Sequence, residues 1–251
     1  MSKQIQWFPG HMSKTLKEFK EIKADIYFVL LDARAPESSF VDSFNEIIKN
    51  KKVIIFLTKS DLVDSKELKY WIDYYNKKYD FVKAINFKKS KFVKNEIIKI
   101  LEQQKIKSLI PKIIVLGAPN VGKSTLLNIV IGSKKTKTEN RPGVTKKNDW
   151  YQFNKKYWIL DTPGVLQPKF ITEKQGINLA SIGSINLKVL PLEEVAIGLL
   201  KRLSELEKIQ LDNPEQYLKK LIESKKKRPN DIYEEIIRNY QNSKYGKIIL
   251  D

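Results

Sequence analysis

Short apolar runs, rich in β-branched and aromatic residues, alternate over the first part of the chain with stretches whose apolar residues recur every three to four positions. The runs suit strands buried on both faces, and the longer recurrence suits helices that cover them. Strands are predicted over residues 26–31, 53–57, 82–86, 112–117, 148–153 and 157–160, with helices over 11–24, 39–49, 65–79, 91–104 and 122–131. After Pro168 the strand signal stops. Helices should begin near Glu173, Pro191, Asn213 and Asn230, because Pro191, Pro214 and Pro229 fall where a missing N–H costs a helix nothing. The pattern divides the chain into an α/β domain over 1–172 and a small all-α domain over 173–251, which a length of 251 residues accommodates.

Composition narrows the classes. Hydrophobic residues make up 41% of the chain and charged residues 30%, enough apolar material for a buried core. There is no cysteine, which removes disulfides, thiolate metal sites and thiol nucleophiles and fits a reducing cytoplasm. No stretch has signal-peptide length or approaches the ~20 apolar residues that span a bilayer, so a soluble cytoplasmic protein without a membrane partner is expected. The net charge of +18 points to a polyanion. A lysine-heavy composition with ordinary solvated faces explains the same number. Residues 1–173 hold 33 basic and 18 acidic side chains, against 14 and 11 in 174–251, and pairs such as Lys77-Lys78, Lys88-Lys89 and Lys146-Lys147 are scattered rather than gathered in a tail. That distribution suits a broad RNA-facing surface.

Four motifs carry chemistry. Gly117-Ala118-Pro119-Asn120-Val121-Gly122-Lys123-Ser124-Thr125 follows a predicted strand and opens a predicted helix, the context a GxxxxGK[ST] phosphate loop requires. Backbone N–H groups and the helix N-terminus would face phosphate oxygens, Lys123 would bridge the β- and γ-phosphates, and the Ser124 hydroxyl would ligate Mg²⁺. Asp161-Thr162-Pro163-Gly164 ends another strand, placing a carboxylate near Mg²⁺ and the Gly164 N–H near a γ-phosphate. Thr145 lies on the loop between these motifs, where a hydroxyl can complete the metal shell. Thr58-Lys59-Ser60-Asp61 ends the strand over 53–57 and matches the guanine-reading [N/T]KxD pattern: one carboxylate accepts from guanine N1–H and N2–H₂ together, a pairing adenine cannot match, while the Lys59 stem covers the base. Read without the phosphate loop, the same tetrad is a helix cap.

The order of these motifs is the diagnostic feature. The guanine motif at 58–61 precedes the phosphate loop at 117–125, the reverse of the usual GTPase order, so the domain reads as circularly permuted with residues 105–111 as the new connection. Together with Trp7-Phe8-Pro9-Gly10-His11-Met12, Asp32-Ala33-Arg34-Ala35-Pro36, Gly176-Ile177-Asn178-Leu179-Ala180 and the terminal Tyr245 to Asp251 segment, the chain resembles the circularly permuted GTPases of the YlqF/RbgA type, ribosome biogenesis GTPase A, over nearly its whole length. The resemblance implies an α/β fold made of a circularly permuted P-loop GTPase domain, with a Ras-like sheet and flanking helices, followed by a small all-α C-terminal domain. It also implies a GTP hydrolase that binds GTP or GDP with Mg²⁺ and K⁺, acts on the immature large ribosomal subunit at a late assembly step through rRNA and ribosomal proteins rather than DNA, and leaves upon hydrolysis.

The implied guanine-nucleotide contacts are Thr58, Lys59, Asp61, Asn86, Asn120, Val121, Gly122, Lys123, Ser124, Thr125 and Gly164, with Ser124, Thr145 and Asp161 for the metal and Asn120 for K⁺. Two positions depart from the family pattern. Thr58 replaces the commoner asparagine and should lose its amide hydrogen bonds, and Asn86-Phe87 matches the base-backing loop only loosely. Val165 follows Gly164, so no glutamine stands ready to orient the attacking water. His11, the one histidine of the chain, precedes the strand over 26–31 and so occupies the stretch that follows the Asp161 motif in the usual order. It reads either as the cap of its own helix or as the catalytic polar group. Arg34 reads as half of a structural ion pair rather than an arginine finger. Two other functions compete with ribosome assembly: a tRNA-modification or ion-transport GTPase, and a non-catalytic nucleotide-gated RNA scaffold.

Overall fold

The computed structural model describes residues 11–132, 150–167, 170 and 172–251. Six strands form one sheet in the order β3-β2-β1-β4-β6-β5. They are β1 (Ile26–Asp32), β2 (Val53–Thr58), β3 (Phe81–Ile85), β4 (Lys112–Gly117), β5 (Trp150–Phe153) and β6 (Tyr157–Leu160). All neighbours run parallel except β5, which pairs antiparallel with β6 at one edge.

Period-two alternation sends the two sets of side chains of each central strand into different cores. Along β1, Ile26, Phe28 and Leu30 enter one cluster, and Tyr27, Val29 and Leu31 the other. The second cluster is closed by α1 (His11–Glu21) through Leu16 and Phe19, by α2 (Phe44–Ile48), and by α3 (Ser65–Asn76) through Leu68, Trp71 and Tyr75. The first is closed by α4 (Ser90–Gln103), by α5 (Lys123–Ile131), and by the helices beyond the sheet, α6 (Glu173–Ser181), α7 (Leu192–Glu205), α8 (Pro214–Lys225) and α9 (Pro229–Gln241). Val195, Leu199 and Leu203 of α7 pack with Ile232, Ile236 and Tyr240 of α9 in that cluster, which continues into the sheet face. The Lys225 to Arg228 basic run lies at the α8–α9 junction, where Lys225 and Lys227 pair with Glu235 and Arg228 with Asp231.

Two elements differ from the expected pattern. The helix expected over 39–49 is α2 alone, because the turn before it is held by competing bonds: Ser39 Oγ accepts from Asp32 N at 3.0 Å, and the backbone N–H groups of Glu37 and Ser38 donate to the Asp251 carboxylate at 2.7 and 3.0 Å. The second difference is the partner in those bonds. Residues 248–250 bury their side chains, Ile248 and Leu250 in the first cluster and Ile249 in the second. Leu250 N donates to Arg34 O at 2.8 Å, and Arg202 Nε to Leu250 O at 2.6 Å. The end of the chain is therefore built into the α/β layer. Residues 105–111, expected as the permutation joint, connect α4 to β4 without regular structure.

Candidate functional site

Parallel pairing brings the C-terminal ends of β1, β2, β4 and β6 to one edge of the sheet, the edge at which open α/β folds bind ligands. Between β4 and α5 the chain forms a loop whose tightest point is Gly122, with φ +107, in the left-handed region. A Cβ there would lie 2.7 Å from the Phe87 ring, so the loop before α4 packs directly on the phosphate loop, and only glycine fits the contact. Val121 is buried, while Ser124 and Thr125 stand exposed on the first turn of α5. Lys123 is almost wholly buried and donates through Nζ to Gly117 O at 2.9 Å and Ala118 O at 2.7 Å. Burial pushes its ammonium down to about 7, partly opposed by the field of Asp161. A buried lysine whose partners are neutral carbonyls, beside the open N-terminus of a helix, is arranged to receive a polyanion.

The Asp161 segment lies against that loop. The Thr162 hydroxyl donates to Val115 O, Val165 N donates to Gly117 O at 3.3 Å, and Val165 is buried. At Gly164 an added Cβ would stand 2.7 Å from Pro119 Cα and 3.0 Å from Lys123 Nζ, so the close approach of the two backbones requires glycine. Leu166 N donates to Met12 Sδ at 3.4 Å, which sets the start of α1 beside this segment. Thr145 and the side chain of His11 lie outside the described residues.

Lys59, after β2, has φ +55, a left-handed conformation rare for a side chain of this size. Its Nζ donates to Asp32 Oδ2 at 2.7 Å. Asp61 pairs with Lys88 at 2.7 Å, and Asn86 Oδ1 accepts from Lys88 N at 2.9 Å, so the guanine motif and the loop behind it form one unit. Thr58 is fully buried, its hydroxyl 2.7 Å from Val121 O and 3.0 Å from Leu31 O. It ties β2 to the phosphate loop through its hydroxyl.

Motif reading did not find the turn after α6. Asn120, with φ +59, donates through Nδ2 to Gly183 O at 2.7 Å, and Ser184 Oγ donates to Pro119 O at 3.0 Å. Arg34 Nη2 donates to Ile182 O at 2.9 Å. Three consecutive residues of the helical region thus touch the phosphate loop or its neighbour. The Ile182-Gly183-Ser184 run gives no sequence signal beyond a glycine after a helix.

Among the described residues no group of three or more His, Cys, Asp or Glu side chains gathers to hold a metal. Among the described residues beside Lys123, the Ser124 hydroxyl and the Asp161 carboxylate are oxygen donors of the kind Mg²⁺ takes. Mg²⁺ typically takes one or two carboxylates with substrate phosphates and retained waters, so this sparse set fits Mg²⁺ carried in with a nucleotide better than a resident protein-only site.

The sheet order, the loop around Lys123 and the guanine motif at the same edge define a P-loop GTPase whose chain order is circularly permuted. The sequence matches the RsgA GTPase family over residues 40–171 and the 50S ribosome-binding GTPase family over 112–233. It is 40% identical to ribosome biogenesis GTPase A of Bacillus pumilus, over 80% of this chain and 76% of that one. It is 30% identical to the probable ribosome biogenesis GTPase A of Mycoplasma genitalium, over 98% and 96%. The fold is that of GNP-bound YlqF from T. maritima, with a TM-score of 0.76 over 96% of this chain and 97% of that one at 18% identity. The chain belongs to the ribosome biogenesis GTPase A family and is a GTP hydrolase.

Proposed function

We propose that the chain binds the immature large ribosomal subunit in its GTP state, promotes a late assembly step there and is released when GTP is hydrolysed. The observation that carries this reading is the direct seam between the phosphate loop and the helical region, Asn120 to Gly183 and Ser184 to Pro119. A change at the phosphates reaches the helices with no linker between, and by reciprocity a particle on the helices biases the nucleotide state. The region 173–251 serves as the rRNA- and ribosomal-protein-facing domain beside a GTPase domain over 1–172. The charge excess of the latter adds phosphate contacts, for instance where Lys49, Lys51, Lys77 and Lys78 line a cleft at the opposite end of β2 from the nucleotide edge.

In the bound state Lys123 moves from its carbonyls to the β- and γ-phosphates, and the N–H groups from Asn120 to Thr125 cradle the phosphate oxygens. Ser124, Thr145 and Asp161 hold Mg²⁺, which supplies charge neutralisation at the phosphates. Gly164 offers its N–H to the γ-phosphate. Asp61 reads guanine, Lys59 covers it, Thr58 braces the phosphate loop against β2, and Asn86 shapes the loop behind the base. Asn120 spends its amide nitrogen on Gly183, which leaves its side-chain oxygen for K⁺.

His11 orients the attacking water. Two observations support this: buried Val165 offers no polar group, and Leu166 N donates to Met12 Sδ. The free protein therefore hydrolyses GTP slowly, and the particle accelerates it by bringing His11 to the γ-phosphate. Single-turnover hydrolysis in K⁺, with and without saturating large subunits, tests this. Stimulation by the subunits, lost in His11→Ala with GTP binding retained and reduced when Na⁺ replaces K⁺, is expected. No stimulation in the wild type sinks the ribosomal reading, and full stimulation in His11→Ala returns that residue to a helix cap.

A further inference from the structure

Asp32 ends β1 with its side chain wholly buried, and every polar contact it makes is with a residue of the guanine edge or the turn leading from it. Oδ1 accepts from Arg34 N at 3.1 Å and Arg34 Nε at 2.9 Å, while Oδ2 accepts from Arg34 Nη2 at 2.8 Å and Lys59 Nζ at 2.7 Å. The guanidinium is itself buried and fixed from behind by Ile182 O. Arg34 thus clamps the carboxylate in bidentate geometry, and the carboxylate in turn holds Lys59 of the 58–61 tetrad. Lys59 keeps a left-handed backbone, the kind of conformation that persists where the surroundings over-determine it, and the bond to Asp32 is the side-chain restraint on it.

We infer that Asp32, clamped by Arg34, is a positioning residue for guanine-nucleotide binding, holding the Lys59 stem in place before the nucleotide arrives. The inference rests on reading residues 58–61 as the guanine motif. A free lysine side chain gives up rotamer freedom when it is ordered on a base, and one already tethered at its ammonium has less to lose. The tether is aimed at the stem and not at the base edge, so it acts on affinity and leaves base choice to Asp61.

The test is a double-mutant cycle on the affinity of a fluorescent GDP, alongside competition by GDP and xanthosine diphosphate and thermal melting of each variant. Asp32→Asn should weaken GDP binding roughly tenfold with the preference for GDP over xanthosine diphosphate unchanged, and should weaken it no further in a Lys59→Met background. Asp32→Glu should recover part of the loss. Asp32→Asn also leaves the buried Arg34 and the half-buried Lys59 without this counterion. Asp32→Asn with Arg34→Met restores the net charge of the cluster, and the same non-additivity with Lys59→Met is expected there. Losses that add with Lys59→Met, or GDP affinity within twofold of wild type in either variant, would overturn the inference. Asp61→Asn is the separate control on the underlying reading: an unaltered base preference in that variant removes the guanine motif itself, whatever Asp32 does.

Discussion

A carboxylate taken wholly out of water is costly unless cations and hydrogen bonds compensate, and removing one partner of such a cluster is more damaging than never having built it. Burial alone drives the Asp32 carboxyl upward, and Arg34 and Lys59 together overcome this and hold it below its ordinary 3.8. Because the unfolded chain binds that proton more tightly, the stability Asp32 contributes is present above the ordinary value and is lost as pH falls through the folded one. Asp32→Asn is expected to destabilise by about 3–5 kcal/mol. In urea titrations the gap from wild type should stay level from about pH 8 to 5 and narrow below about pH 4; a gap that widens on acidification contradicts the clamp. Sequence legibility at this scale was uneven. Lys123, Asp61 and Gly164 stood out in the sequence because the motifs that hold them have a fixed local spacing. Arg34 was read as half of an ion pair, and Asp32 two residues before it is the other half, but the third member, Lys59, could not be read because it arrives through strand pairing 27 residues from Asp32.

Elements were legible where one period dominated. β1, β2, β4 and β6 lie where their apolar runs fall, and α5 to α9 start within a residue or so of the glycine, threonine and prolines that mark them. The failures came where side chains outside the local window decide the backbone: the turn before α2 is pinned by Asp251, and residues 248–250, too short to show any period, complete both cores. That terminal segment is the strut between the layers, since Leu250 is bonded to Arg34 on one side and Arg202 on the other. Leu250→Ala should cost about 2–5 kcal/mol in denaturant unfolding, the range for emptying a buried leucine site. A loss under about 0.5 kcal/mol, the scale of surface substitutions, would show that the segment merely lies on the surface.

At the scale of the whole molecule, the permutation was legible from motif order alone, and the sheet explains why it is tolerated. β1 to β3 precede the phosphate loop in the chain yet lie beside it in one continuous sheet, so rejoining the chain through residues 105–111 leaves the strand neighbours and the nucleotide edge intact. What the permutation changes is attachment. The helical region follows the Asp161 segment in the chain and folds back so that Gly183 and Ser184 rest on the phosphate loop, an arrangement that no single-residue motif encodes. On the proposed function, this seam makes particle binding depend on the nucleotide. Co-sedimentation of the protein with purified large ribosomal subunits, with a non-hydrolysable GTP analogue against GDP at matched saturation and constant salt, tests it most directly. The account predicts that the protein sediments with the subunits in the analogue and stays at the top of the gradient in GDP; equal binding in both nucleotides, or none in either, would contradict it.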